Sequence, residues 1–217
     1  MSALSPEIGP IVWLSLRIAG TALLFAALIG VPLGAWLGLA SFPGKRWLTA
    51  VIYTGMGLPP VVVGLAVYLL LSRSGPLGGL GWLFTPQAMV LTQTVIALPV
   101  IAGITLSAVA TVPAELFQQV RALGASPGQA RRAVRREARS GVLVALAAGF
   151  GRAVAEVGAA LMVGGNVQGQ TRVLTTAIVL ETGKGQFAVA LALAGWLLAL
   201  ALAVNAAILG LQGRPQP

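Results

Sequence analysis

Arg152 and Glu156 stand four residues apart inside an otherwise apolar run, GVLVALAAGFGRAVAEVGAALMV, at positions 141–163. Ionisable side chains in such a run are expensive and turn toward a protein interior. On one unbroken helix the two share a face and can neutralise one another. They are then either a pair tolerated within a bundle or, with Gly158, part of a gate or pathway in the part of the run nearer the basic stretch that precedes it. Little other chemistry is available. Cys, His and Asp are absent and all five acidic residues are Glu, which leaves no thiol, no disulfide and no usual zinc ligand set. A membrane-embedded enzyme working by proton transfer or a metal has almost nothing to work with. There is also no Gly-x-x-x-x-Gly-Lys-Ser/Thr phosphate loop: Lys45 and Lys184 follow Gly44 and Gly183 but lack the upstream Gly and the following hydroxyl.

The one extended polar segment is 113–139, PAELFQQVRALGASPGQARRAVRREAR, which holds Glu115, Glu137, Arg121, Arg131, Arg132, Arg135, Arg136 and Arg139. It reads as helix, tight turn, helix. Pro113 suits a first turn with Glu115 behind it, and Gly124 stops the first helix after Leu123. Ser126 can cap the second helix, Pro127 fits its first position, and Gln129 completes a Ser-x-x-Gln capping box. Leu116, Val120 and Leu123 make one side too apolar to sit free in water, so docking on another protein is its natural use.

Composition sets the surroundings. The chain is 57% hydrophobic and 9% charged, with a mean hydropathy of +0.91, against roughly 25% charged residues in a soluble domain. The solvent for most side chains is therefore lipid, and the fold class is an all-α integral membrane protein forming a single domain over 1–217. Five spans are expected at about 11–40, 50–71, 88–110, 141–163 and 188–211, given about 20 residues for each crossing. Gly30, Gly34 and Gly38 recur on one face of the first and would let another helix approach closely. Pro32 can kink it, and Pro59 and Pro60 interrupt the second. The third carries Thr92, Gln93, Thr94, Thr105 and Ser107, which either line a path or bond between helices. Asn205 in the fifth reads as an interhelical hydrogen bond. Residues 164–187 are polar enough to leave the membrane, and there Arg172, Thr175 and Thr176 either meet a partner or a solute or form an internally satisfied loop. The amino-terminal residues lack the positive region of a signal peptide, so the first span is retained.

Lys45 and Arg46 fall on the same side as the six arginines of the central segment, and the positive-inside rule makes that side cytoplasmic. The amino terminus, the glycine-rich stretch after the second span and residues 164–187 are then outside, and Arg214 inside. A formal charge of +9 is explained by this topology without a nucleic-acid partner.

Residues 118–126 resemble the EAA loop of ABC-importer permeases, whose pattern is Glu-Ala-Ala, three residues, then Gly. Gln118, Gln119 and Val120 stand where Glu-Ala-Ala would be, whereas Ala122, Leu123, Gly124, Ala125 and Ser126 fit. The usual Ile-x-Leu-Pro farther on is replaced by Val134, Arg135, Arg136 and Glu137. The run REARSG, then GFGRAVAEVG, MVGGN, TRVLTTAI and LET between positions 136 and 182 is similar to the tungstate-type permeases of the molybdate/sulfate/tungstate group.

The resemblance implies a type I ABC-importer permease fold in the plasma or inner membrane, with two copies of the chain pairing. Each copy would insert its central loop into one of two cytoplasmic ATPase subunits, through Glu115, Leu116, Val120, Ala122, Leu123, Gly124, Ala125, Ser126 and Pro127. The chain would bind no cofactor itself, with ATP and magnesium on the ATPase, and an external solute-binding protein would deliver the oxyanion. Molybdate or sulfate stands as the alternative to tungstate, and an ATP-independent channel or carrier as the alternative class.

Overall fold

The computed structural model describes residues 5–211, so Arg214 lies outside the described residues. The chain is built of α-helices: α1 (Ser5–Leu39), α2 (Lys45–Met56), α3 (Pro60–Leu71), α4 (Pro86–Ala110), α5 (Ala114–Ala122), α6 (Pro127–Glu137), α7 (Arg139–Val154), α8 (Gly158–Gly164), α9 (Leu174–Gly183) and α10 (Phe187–Gly210). Among the described residues three helices, α1, α4 and α10, are by themselves long and apolar enough to cross a membrane. Two bent pairs raise the number to five by length and composition: α2 with α3, turned through 98°, and α7 with α8, turned through 60°.

The packing is organised by the pair α1 and α4, which run parallel with a constant offset. A Cβ on Gly30 would come 3.2 Å from the Ile101 Cβ, one on Gly34 2.8 Å from the Thr105 Cβ, and one on Gly38 2.7 Å from the Val109 Cβ. At Gly34 it would also overlap the Ala102 carbonyl oxygen. The three glycines thus form the strip on which the α4 backbone lies. Lipid provides no hydrophobic drive between helices, so this close approach, with its dispersion contacts, is what holds the pair together.

Around this pair, α7 runs antiparallel to α4, with Gly149 against Ile101 and Gly141 against Ala108. Ala145, Phe150 and Ala153 of α7 join Ala19, Ala26, Ala97 and Ile101 in one buried cluster, which Leu197, Leu200 and Val204 of α10 cover. The most exposed apolar side chains include Leu191, Leu198 and Leu202 of α10, as expected of a helix whose outer face meets lipid.

Each bend has a local cause. Between α2 and α3 the sequence is Gly57-Leu58-Pro59-Pro60, and neither proline can donate to the preceding turn. Between α7 and α8 there is no proline. There the chain leaves the helix at Ala155, passes Glu156 and Val157, and restarts at Gly158.

Residues 164–187 are not an irregular loop throughout. Their central part is α9, whose first turn, Leu174, Thr175, Thr176 and Ala177, is buried against Leu193 of α10 and residues of α1. The segment is polar by composition, but the buried hydroxyls of Thr171, Thr175 and Thr176 bond within the fold, which lets this part lie against the bundle.

Candidate functional site

The element formed by α5 and α6 projects from the end of the bundle where α1 and α4 terminate. Its turn is closed in the manner of a Schellman motif: Gly124 takes a φ of +87°, its N–H donates to the Arg121 carbonyl at 3.0 Å, and the Ala125 N–H donates to the Val120 carbonyl at 3.3 Å. Only a residue without a Cβ takes that backbone conformation freely. Arg121 Nη1 reaches over the turn to the Ala125 carbonyl at 2.6 Å. The capping box at the start of α6 is complete. Ser126 Oγ accepts from the Gln129 N–H at 3.3 Å, and Gln129 Oε1 accepts from the Ser126 N–H at 2.7 Å.

α6 is then held by its apolar stripe. Val134 and Ala138 are buried against Ala35 and Val109, while Leu116 and Phe117 of α5 pack onto the same cluster. The apolar face expected of Leu116, Val120 and Leu123 is therefore divided. Leu116 is turned inward and helps fasten α5 to the bundle, Val120 is half-buried, and Leu123 is 88% exposed at the tip. Glu115, Ala122, Gly124, Ser126 and Pro127 are exposed around it, with Ala125 half-buried. The result is a stiff prong with one bare leucine at its end.

The second assembly lies within the bundle. Arg152 sits in the last turn of α7, about 20 Å of helical rise from Arg139 at its start, and so at the end of the helix away from the basic stretch. It does not pair with Glu156. The separation of four implied a shared face, but α7 ends between them, so the side chains diverge. Arg152 Nη2 instead donates to the Leu58 carbonyl at 3.3 Å, a group stranded at the α2/α3 break. Glu156, only 5% exposed, uses Oε1 to accept from the Ala159 N–H at 2.8 Å, capping α8. Its backbone carbonyl accepts from Thr175 Oγ1 at 2.9 Å. Gly158 is a close approach: a Cβ there would come 2.8 Å from Val61 Cγ2. The two helix breaks thus meet, and Arg152, Glu156 and Thr175 join the broken ends.

Thr175 and Thr176 are 5% and 0% exposed and do not face outward. Thr176 Oγ1 accepts from the Val173 N–H at 3.1 Å and so closes the first turn of α9. Arg172 is half-buried, with Nη2 3.5 Å from the Asn166 carbonyl oxygen and an unpartnered Nε. It lines a cavity of about 380 Å³ with Trp13 and Leu14. Asn205, expected to make an interhelical hydrogen bond, has its Oδ1 buried without a partner.

Three residues of these assemblies gave little signal in the sequence. Leu58 acts through its carbonyl, which residue type does not reveal. Ser15 of α1 accepts from the Leu174 N–H at 2.8 Å, capping a helix far along the chain, and Thr171, fully buried, receives the Val167 N–H at 2.9 Å and donates to the Gly164 carbonyl. For Ser15 a lone hydroxyl in an apolar run was the available hint.

Residues 30–211 match the family of binding-protein-dependent transport system inner membrane components. The chain belongs to this family. The permease is 48% identical over 197 residues to a probable anion ABC transporter permease protein of Haloferax volcanii, covering 88% of this chain and 85% of that one. It is 38% identical over 207 residues to the tungstate uptake system permease protein TupB of Peptoclostridium acidaminophilum, covering 95% and 91%. To the molybdenum transport system permease protein ModB of Escherichia coli it is 29% identical over 185 residues, with 81% of each chain covered. Its fold is that of the inward-facing MetNI methionine ABC transporter, with a TM-score of 0.77 at 23% identity over 99% of this chain and all of that one.

Membership agrees with how the charged groups are used. An ABC permease is a transport component and not an enzyme, and here Arg152 and Glu156 are bound to backbone groups at helix ends.

Proposed function

We propose that the chain is the permease subunit of an ATP-driven importer for a tetrahedral oxyanion, with tungstate the preferred solute. The observation that carries this reading is the 38% identity to a tungstate uptake permease across nearly the whole of both chains. The probable anion permease, more similar still, supports the anionic class. Molybdate is the second solute, favoured by the likeness to ModB.

The mechanism follows from the two assemblies. Two copies of the chain pair, and each presents its α5–α6 prong to one of two cytoplasmic ATPase subunits. Leu123 enters a groove there, and the Gly124 turn and the Ser126/Gln129 box keep the prong stiff enough to transmit a push. ATP and magnesium reside on the ATPase. A solute-binding protein releases the dianion on the opposite face, where Arg172 at the cavity near Trp13 attracts it. Movement of the prong is passed through Val134 and Ala138 to the end of α1, and through α7 to the break at Glu156. With Gly158 as the close-packed hinge, the Arg152 bond to Leu58 and the Thr175 bond to Glu156 are made and broken as the pathway opens. By the positive-inside rule the basic residues of α6, with Lys45 and Arg46, favour a cytoplasmic prong and an amino terminus outside.

The test is uptake of radiolabelled tungstate in cells lacking their own tungstate and molybdate systems, with the neighbouring ATPase and binding protein supplied. Uptake that is competed first by tungstate and second by molybdate supports the assignment. Uptake insensitive to both would overturn the solute, and uptake without the ATPase would overturn the importer.

A further inference from the structure

A cavity of about 380 Å³ opens between the end of α1 and the start of α6, lined by Pro32, Ala35, Trp36 and Leu39 on one wall and by Arg131 and Arg135 on the other. The two walls differ in kind. The α1 wall is apolar and belongs to a helix long enough to cross a membrane. The α6 wall carries two guanidinium groups one turn apart on the same face. Both arginines are exposed, and among the described residues the ion pair is Lys184 with Glu181, so no carboxylate neutralises them. Glu137, the acidic residue of α6, lies on another face of that helix by its spacing.

The rim strengthens the pattern. Trp36 is 51% exposed and stacks on Phe42 with ring centroids 5.1 Å apart, the amphipathic kind of side chain that settles at headgroup level. Ala40, which also lines the cavity, accepts from Lys45 Nζ at 2.9 Å, which brings a third cation to the same rim. Apolar wall, interfacial aromatic and clustered cations are the three features that a lipid with an anionic headgroup satisfies together: acyl chain along Pro32 and Ala35, phosphate between Arg131 and Arg135.

We infer that this cavity is a binding site for an anionic phospholipid, with Arg131 and Arg135 holding the headgroup phosphate. The occupant joins the end of α1 to the prong, so the lipid becomes part of the joint through which α6 is held. Free phosphate supplies the charge and not the acyl chain, and a zwitterionic lipid supplies the chain with its phosphate partly compensated.

The experiment is native mass spectrometry and a detergent titration on the full-length chain with phosphatidylglycerol, phosphatidylcholine and inorganic phosphate. Wild type is expected to retain phosphatidylglycerol preferentially. The double variant Arg131→Gln/Arg135→Gln should bind it about thirtyfold more weakly, two basic groups each contributing about a factor of five at a membrane surface. Arg132→Gln/Arg136→Gln, on the neighbouring face, should lose at most a few-fold. A second route leaves the arginines in place: Gly128→Phe fills the cavity from a position where an added Cβ meets nothing nearer than Ser126 Oγ at 3.9 Å, and should also displace the lipid. Equal losses in the two arginine pairs, retention in Gly128→Phe, or displacement by millimolar phosphate alone would each overturn the site.

Discussion

Arg152 at the end of α7 donates a hydrogen bond to the Leu58 carbonyl at 3.3 Å, and by doing so ties together the two broken helices of the bundle. The Leu58 carbonyl has lost its helical partner at a Pro59-Pro60 break, and a long cationic side chain reaches it from another helix. A guanidinium within a membrane-spanning run would be costly alone; here one of its N–H groups is taken up by the stranded carbonyl.

Arg152→Ala should remove one hydrogen bond to the carbonyl of Leu58, a residue 41% exposed, and cost about 0.5–1.5 kcal/mol, seen as a modestly lowered detergent unfolding temperature. Solute uptake should fall to background while the ATPase still co-purifies, because the prong is untouched. Normal transport by this variant would remove Arg152 from the pathway.

Glu156 acts through a single carboxyl oxygen on the Ala159 N–H, at 2.8 Å. An amide oxygen can do the same, so Glu156→Gln should keep stability within about 1 kcal/mol of wild type, whereas Glu156→Ala should lose about 1–2 kcal/mol as other helix caps do. Thermal unfolding of both variants side by side distinguishes a cap from a group whose charge holds the fold.

Much of this was legible locally. The Ser126, Pro127 and Gln129 pattern is a short-range hydrogen-bonding unit, so residue type and spacing were enough, and the same holds for Gly124 at the turn. The strip Gly30, Gly34 and Gly38 was visible as a period, although its partner was not. Arg152 and Glu156 misled because a spacing of four carries meaning only along an unbroken helix, and the break at Ala155 has no proline to announce it. For Thr175 and Thr176 the sequence left an outer contact and a satisfied loop equally open; their burial depends on the Glu156 carbonyl and the Val173 N–H, which no composition reveals.

Gly34→Val should disrupt the α1–α4 pair, since even one carbon there would overlap the Ala102 carbonyl. Overpacking of this kind costs about 1–3 kcal/mol or more, expected as loss of folded protein on size-exclusion chromatography. Gly20→Ala is the control: nothing lies within 4 Å of its added Cβ, and it should behave as wild type.

Leu123→Ala should leave the unfolding temperature unchanged, because the side chain is 88% exposed and contributes little to the isolated fold. It should weaken co-purification of the ATPase, as loss of an apolar anchor does, by about 1–3 kcal/mol. Leu116→Ala should do the reverse, loosening α5 from the Val134 cluster and lowering stability.

The most direct measurement is ATP hydrolysis and tungstate uptake in proteoliposomes that hold the permease, its neighbouring ATPase and the solute-binding protein, comparing wild type with Gly124→Pro. Proline cannot adopt the φ of +87° found at this turn, so the prong is deformed while the bundle is spared. The expected result is hydrolysis stimulated by liganded binding protein and uptake that requires ATP, both lost in the variant. Uptake that persists without ATP, or is unaffected by Gly124→Pro, would contradict coupling through the prong.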